Sequence, residues 1–584
     1  TNDINNLAVA NAGNAVSVAD ANGFTAGDVG IIGGTLSGIT GSTVNLTAGN
    51  GTLTVGNSAA VKDIDATGAV TLTATTAGTK VAVAGSANVT TTAGGITLNA
   101  DTMDLAGTLT ASAGTQTVTL APQTGGGAVA IDLGSAVDTT PATLELSAAE
   151  IANTTAGTLK IGSAGSGAIV LSTDIAPTNV GTLHLMTGST VTGTTGGISG
   201  NKDLAIDAVG TVNLTDASMA LGAVAITVSG LGNGITLQNE TDGFTVGTVA
   251  GITGIGSGSG AGTTGSITLS TASGNLVLAN NVSTGNSAPA DGTNAVSGSI
   301  SLTANGSGQI TSAGGSAVIG AATGVTGGAA ETATTGDLSL TASAISATAA
   351  MPLASGADTS NTQGVVNATA TGTGGGITLS SAGPLRIGVL DTKDADTAAV
   401  AVTVTGGNLL EIASTSNLDQ DTLTLSADRI KVGAGVTAAS AVVKPNTAGT
   451  AIDLGSTTDA AANTLELSSV ELGNLAVTTL ELGSATAGAI TITGDVAPGA
   501  TTLHLKTGGA VTGSAGGITG NKNLAISAGG PVGLTAATND INNLAVANAG
   551  NAVSVADANG FTAGDVGIIG GTLSGITGST VNLT

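Results

Sequence analysis

The residues best suited to chemistry are few. There are two histidines and no cysteine in 584 residues. His184 and His504 both sit in the string TLHL, at 182–185 and 502–505. Strand alternation puts each imidazole on the face opposite its two flanking leucines. Histidine is the usual general base or metal ligand near neutral pH, but neither has an acid or a second histidine close in sequence, so each reads as an outward-facing strand residue. Without cysteine, and with the histidines 320 residues apart, no zinc spacing exists. Asp20-Ala21-Asn22-Gly23, copied at 557–560, opens like a calcium loop but lacks the later ligands and closing glutamate, and Asp-Asn-Gly groups are ordinary turn chemistry. The glycine string GIGSGSGAG at 254–262 does not lie between a strand and a helix, as a nucleotide-binding turn must. Lys202 and Lys522, in matching GNK turns, read as solvated. Asn-x-Ser/Thr triplets at Asn45, Asn88, Asn153, Asn213, Asn239, Asn281, Asn305 and Asn367 are what a chain rich in these residues produces by chance. No nucleophile, base and orienting acid can be assembled. The expectation is a protein that is not an enzyme, with no catalytic, cofactor-binding or metal residue and no cofactor.

What could hold such residues follows from composition. Glycine supplies 95 of 584 residues, more than double the usual share of about 7%. Tryptophan and tyrosine are absent, and the three phenylalanines are Phe24, Phe244 and Phe561. Charged residues are 8% of the chain, with a net charge of −26. That acidic, lysine-poor balance excludes the clustered cations that nucleic-acid binding needs. Hydrophobic residues reach 41%, and Val, Ile and Thr recur throughout, which separates the chain from disordered glycine-rich sequences. The expected core is built in thin slices from small and branched side chains. No run of about 18 apolar residues offers a transmembrane helix, and no basic segment followed by an apolar stretch opens the chain.

Short alternating runs recur, such as VTLTA at 70–74, ITLNA at 96–100, AIDLG at 130–134 and TLELS at 143–147. Each has the period of two expected of a strand with one buried face. Gly/Ser/Thr/Asn clusters between them supply turns, and no capped stripe of period 3.6 predicts a helix. Two levels of repetition lie over this pattern. Residues 1–47 match 538–584 letter for letter, an offset of 537. Within that period, 130–217 is echoed in diverged form by 451–537: AIDLGSAVDTTPATLELSAAEI returns as AIDLGSTTDAAANTLELSSVEL, and TLHLMTGSTVTGTTGGISGNKDLAI as TLHLKTGGAVTGSAGGITGNKNLAI. Fixed-period similarity of this kind marks units that bury their apolar faces against their neighbours. The chain is therefore expected to be a window of a tandem array, one continuous solenoid over 1–584.

A sandwich would keep large aromatic core residues, and propeller blades a period of about 40 to 50 with aromatic signatures. A parallel β-helix fits: coils of roughly 20 to 25 residues stacked about 4.8 Å apart around ladders of Val, Ile, Leu and Ala. The stretch 2–55, with ADTMDLAGTLTA, AVAIDLG and the repeated TLHLMTGSTVTGTTGGISG block, resembles the long repeat regions of filamentous haemagglutinin-like exoproteins, giant surface proteins of Gram-negative bacteria secreted by a two-partner or autotransporter route. The resemblance implies an all-β, right-handed parallel β-helix shaft, an extracellular or cell-surface location, and a role in adhesion, aggregation or biofilm. Its partners would be other copies, through self-association into fibres or bundles, and host or neighbouring cell surfaces. A purely structural filament or sheath, and a stalk presenting a terminal toxin or receptor-binding domain, are the rival readings. Polysaccharide-cleaving enzymes also use this fold, but their sites need clustered carboxylates and aromatic platforms.

Overall fold

A computed structural model describes residues 2–584 except 57–62, 113, 124–127, 138–141, 259–263, 285–294, 313–316, 322–332, 351–362, 393–396, 459–460, 462 and 549. Strand makes up 56% of the chain and helix 2%, as the alternation requires, and the fold is an all-β parallel β-helix. Two compact units, 1–285 and 286–584, divide the chain. No helix among the described residues is long and apolar enough to cross a membrane.

In the first unit the coils stack in register through parallel strands. Leu46 of Val44–Val55 pairs with Leu72 of Val70–Ala74, Leu72 with Leu98 of Ile96–Asn99, and Leu98 with Leu120 of Thr117–Ala121. Further along, Leu159, Leu183, Leu204 and Val224 form another inward column. In these regular stretches, partners lie 20 to 26 residues apart, as in Leu204 with Val224 and Leu46 with Leu72. All of these side chains are fully buried, and burying each such group stabilises by about 1.5–3 kcal/mol. Because period-two alternation sends every second residue inward, each column continues as long as the register does.

The second unit repeats the plan. Ala441 of Val436–Lys444, Leu480 of Leu475–Ser484, Leu503 of Thr502–Thr507, Leu524 of Lys522–Ala528 and Leu544 of Ile541–Ala547 stack in one line. Two devices interrupt the coils and recur in both units, the second of them also at Val29–Ile31 with Gly34–Leu36. The first is a single helical turn, Ala148–Ala152 and its counterpart Ser469–Gly473, started by the reciprocal hydrogen bonds of a capping box at Ser147/Glu150 and Ser468/Glu471. The glutamate's other oxygen accepts the amide of Leu105 in one unit and of Val432 in the other, tying the turn to the previous coil. The second is an antiparallel hairpin that leaves the ladder and lies across its outer face. Thr248–Val249 with Ile252–Thr253 packs Val249 on Ala205 and Ala225. Asp565–Ile568 with Gly571–Ser574 packs Val566 on Ala525 and Ala545.

Candidate functional site

The two histidines lie on the outer face of corresponding coils, opposite Leu183 and Leu185 or Leu503 and Leu505, as alternation requires. Their exposure departs from expectation. His504 is 1% exposed, and it has an acid beside it. Parallel stacking sets Glu481, His504 and Ala525 in one outward column, and Gly483, Lys506 and Ser527 in the column two residues on. The acid absent from the neighbouring sequence is 23 residues away along the chain but one coil away in space.

Four side chains close into a connected group. The Nδ1 of His504 is 2.9 Å from Glu481 Oε2, its Nε2 is 3.0 Å from Ser527 Oγ, and Lys506 Nζ donates to Glu481 Oε1 at 3.1 Å. Burial pushes the Glu481 carboxyl up, but the hydrogen bonds and charges of His504 and Lys506 outweigh it and hold the group below the usual carboxylate range. An ionised carboxylate accepts only, so Nδ1 carries a proton. In the neutral imidazole Nε2 is then the acceptor, and the Ser527 hydroxyl donates to it. Ser527 is half-buried, and its neighbour in the next coil, Ala547, is exposed. Gly483 gives Lys506 room: its φ is +91°, and a Cβ there would run into the Lys506 carbonyl oxygen.

The first unit lacks this group. Lys160 stands where the second has Glu481, Met186 where it has Lys506, and Asp207 where it has Ser527. His184 is partly buried, and its Nε2 is enclosed without a hydrogen-bond partner. Burial, reinforced by the positive charge of Lys160 and opposed by Asp207, pulls its pKa below the ordinary value.

The other residues singled out in the sequence are held by local structure. The Asp20 carboxylate accepts the amides of Ile4 and Asn22, and Asp557 those of Ile541, Asn559 and Gly560. No cluster of three metal-ligating side chains occurs among the described residues. Lys202 is anchored rather than solvated: Nζ donates to the Val180 carbonyl at 2.9 Å. The GNK turn aims it there, with Gly200 at φ +91° and Asn201 at +54°. Of the Asn-x-Ser/Thr positions, Asn153 donates to the Leu105 carbonyl, Asn239 is fully buried, and Asn367 accepts the Val389 amide. The glycine string at 254–262 lies, from 259 on, outside the described residues. A second ionic group, Arg386–Glu411–Lys431, also lines up across three coils, with Glu411 accepting at 3.2 and 2.9 Å. It contains neither a hydroxyl nor an imidazole. An open depression of about 310 Å³ beside Asn201, Phe244, Thr245 and Asn275 carries no titratable group.

Comparison of the chain with protein-family models, curated proteins and solved structures finds no match in any of the three.

Proposed function

We propose that this chain is part of the shaft of a secreted fibrous surface protein, similar to the filamentous haemagglutinin-like exoproteins of Gram-negative bacteria, that serves in adhesion, aggregation or biofilm. The observation that carries this reading is the repetition itself: the same inward columns and outer hairpins recur, and residues 1–47 return unchanged at 538–584. Repetition of that kind multiplies one outer surface many times, so weak contacts to a cell surface or a second fibre add by multivalency. The excess of acidic residues, −26 overall, keeps neighbouring fibres from collapsing on each other. Backbone ladders along the axis supply stiffness.

Electron microscopy and fibre diffraction of the native material test the fibrous part. Extended particles with a reflection near 4.8 Å along the fibre are expected, and globular particles overturn it. For adhesion, multivalent beads coated with the chain are expected to bind host or bacterial cells well above beads coated with an equally acidic control protein. Binding no greater than the control leaves a structural filament in its place.

A further inference from the structure

The quartet at Glu481, His504, Lys506 and Ser527 has an order that a purely structural ladder does not require. An acyl-transfer site needs a hydroxyl nucleophile, an imidazole able to take its proton, and an acid that fixes the imidazole tautomer. Here the hydroxyl is within 3.0 Å of Nε2 and the carboxylate within 2.9 Å of Nδ1. The base and the acid are buried, while the nucleophile keeps access to solvent. Ala547, the small register partner of Ser527 on the next coil, leaves that side open. The hairpin 565–574 covers the adjoining column at Ala525 and Ala545 with Val566, Ile568 and Leu573, which sets an apolar wall beside the open serine column.

We propose that Ser527, His504 and Glu481 form an acyl-transfer centre that accepts short-chain carboxylic esters from solvent. Ser527 Oγ attacks the ester carbonyl while His504 Nε2 takes the hydroxyl proton. The new bond joins Oγ to the acyl carbon, and the ester's C–O bond breaks. The alcohol leaves with the proton that His504 returns. Water then attacks the acyl-serine, its proton passing through the same nitrogen, and the carboxylic acid departs with Ser527 restored. The net change is ester plus water to acid plus alcohol, with no other co-reactant. Ser527 and His504 are the catalytic residues, and Glu481, itself held by Lys506, positions the imidazole. Backbone amides in a parallel ladder are committed along the axis, and Lys506 Nζ is held by Glu481, so the developing oxyanion has no preorganised set of amide donors. Removing a single preorganised donor costs about 10²–10³ in rate in sites that have them. Acylation should therefore be readily seen and turnover slow.

The test treats the whole chain with a fluorophosphonate probe, and separately with p-nitrophenyl acetate, and maps adducts by mass spectrometry. One adduct is expected, on Ser527. It should be absent in Ser527→Ala and reduced at least tenfold in His504→Gln. Ser527→Asp, which copies the natural residue Asp207, serves as a fold-preserving control and should also be silent. Glu481→Gln should slow labelling at least tenfold and Glu481→Asp should restore most of it, a rescue that loss of packing alone does not give. Lys160→Glu with Asp207→Ser should build the same order around His184 and create a second labelled serine at 207. Failure to label Ser527 in protein with intact strand circular dichroism overturns the proposal, as does equal labelling in His504→Gln. These results leave the fibre reading untouched, because its test is shape and cell binding.

Discussion

The strands Val180–Thr187 and Thr502–Thr507 carry the same TLHL string and pack the same leucines inward, yet they treat histidine in opposite ways. Around His504 every polar atom is used: carboxylate on one nitrogen, hydroxyl on the other, ammonium on the free carboxylate oxygen. Around His184 a lysine replaces the acid, and Nε2 is enclosed without a partner. Three outward substitutions between diverged copies change the site, while the core beneath stays aliphatic, with exchanges such as Ile161 for Leu482 and Val224 for Leu544. The lesson is that in a parallel β-helix the inward columns specify the fold, while the outward columns are independent rows whose chemistry is set by residues one coil apart.

The largest effect should come from breaking the acid. Glu481→Leu leaves a buried imidazole without its acceptor and Lys506 without its partner. Removing one member of a buried charged pair costs about 3–5 kcal/mol, and the partial exposure of Lys506, 38%, places the expected loss near the lower end. Because repeat folds open locally, the measurement is hydrogen exchange at the amides of Thr502–Thr507, compared with Val180–Thr187 as an internal reference. Lys160→Leu, the matching change in the first unit, should leave exchange there unchanged or slower. Equal losses at the two sites would show that the polar group around His504 contributes no more than packing.

The reverse exchange comes next. Lys160→Glu, Met186→Lys and Asp207→Ser together transplant the second arrangement onto His184, giving its enclosed nitrogen a hydroxyl and its neighbour the opposite charge. Satisfying a buried polar atom is worth about 1–3 kcal/mol. Slower exchange in Val180–Thr187 and an upward move of the His184 titration, followed by NMR, are expected; an unmoved titration would mean that Lys160 and its replacement do not act on the ring.

Acid should separate the two sites without any mutation. The pKa of His184 is depressed on folding below the ordinary 6.5, so the unfolded chain takes up a proton that the folded one resists. Stability at this site is complete above 6.5 and is lost as pH falls toward the folded value. Glu481 is depressed below its ordinary 4.5, so its contribution is present above 4.5 and is lost only as pH falls through its folded value. Protection at Val180–Thr187, that is, exchange corrected for its base-catalysed intrinsic rate, should therefore fall between pH 6.5 and 4.5, and His184→Leu should abolish that change. The Glu481 contribution should stay constant over the same interval. An acid response at Val180–Thr187 that persists in His184→Leu would assign it to another group.

Much of the fold was legible, and much of this site was not, for one physical reason. VTLTA at 70–74 and ITLNA at 96–100 show their buried faces by alternation alone, and Leu72 stacks on Leu98 as the ladder predicts. Alternation also put His504 on the correct face. It did not tell that an outward residue would be buried, because the cover comes from the hairpin 565–574 and from neighbours in adjacent coils. A search for an acid near His504 along the chain misses Glu481, 23 residues away. The signal was present in the internal repeat: writing TLELG, TLHLK and NLAIS beneath one another aligns Glu481 with His504 and sets Lys506 over Ser527. The capped turn at 469–473 was equally available in Ser468-Ser-Val-Glu471, the capping-box spacing, but a five-residue helix is too short to show a stripe.

The smallest effect should be at Lys506→Met, which copies Met186 and removes only the partly exposed arm of the group. Exposed ion pairs are worth about 0.2–1 kcal/mol and weaken with salt. Glu481 would keep its bond from His504, so exchange in Thr502–Thr507 should quicken slightly at low ionic strength and match the parent at high salt. A loss as large as that of Glu481→Leu would place the lysine at the centre of the group and not at its rim. The ranking of the two variants thus decides whether the ladder's outward chemistry is carried by its buried acid–imidazole bond or by the charge that screens it from solvent.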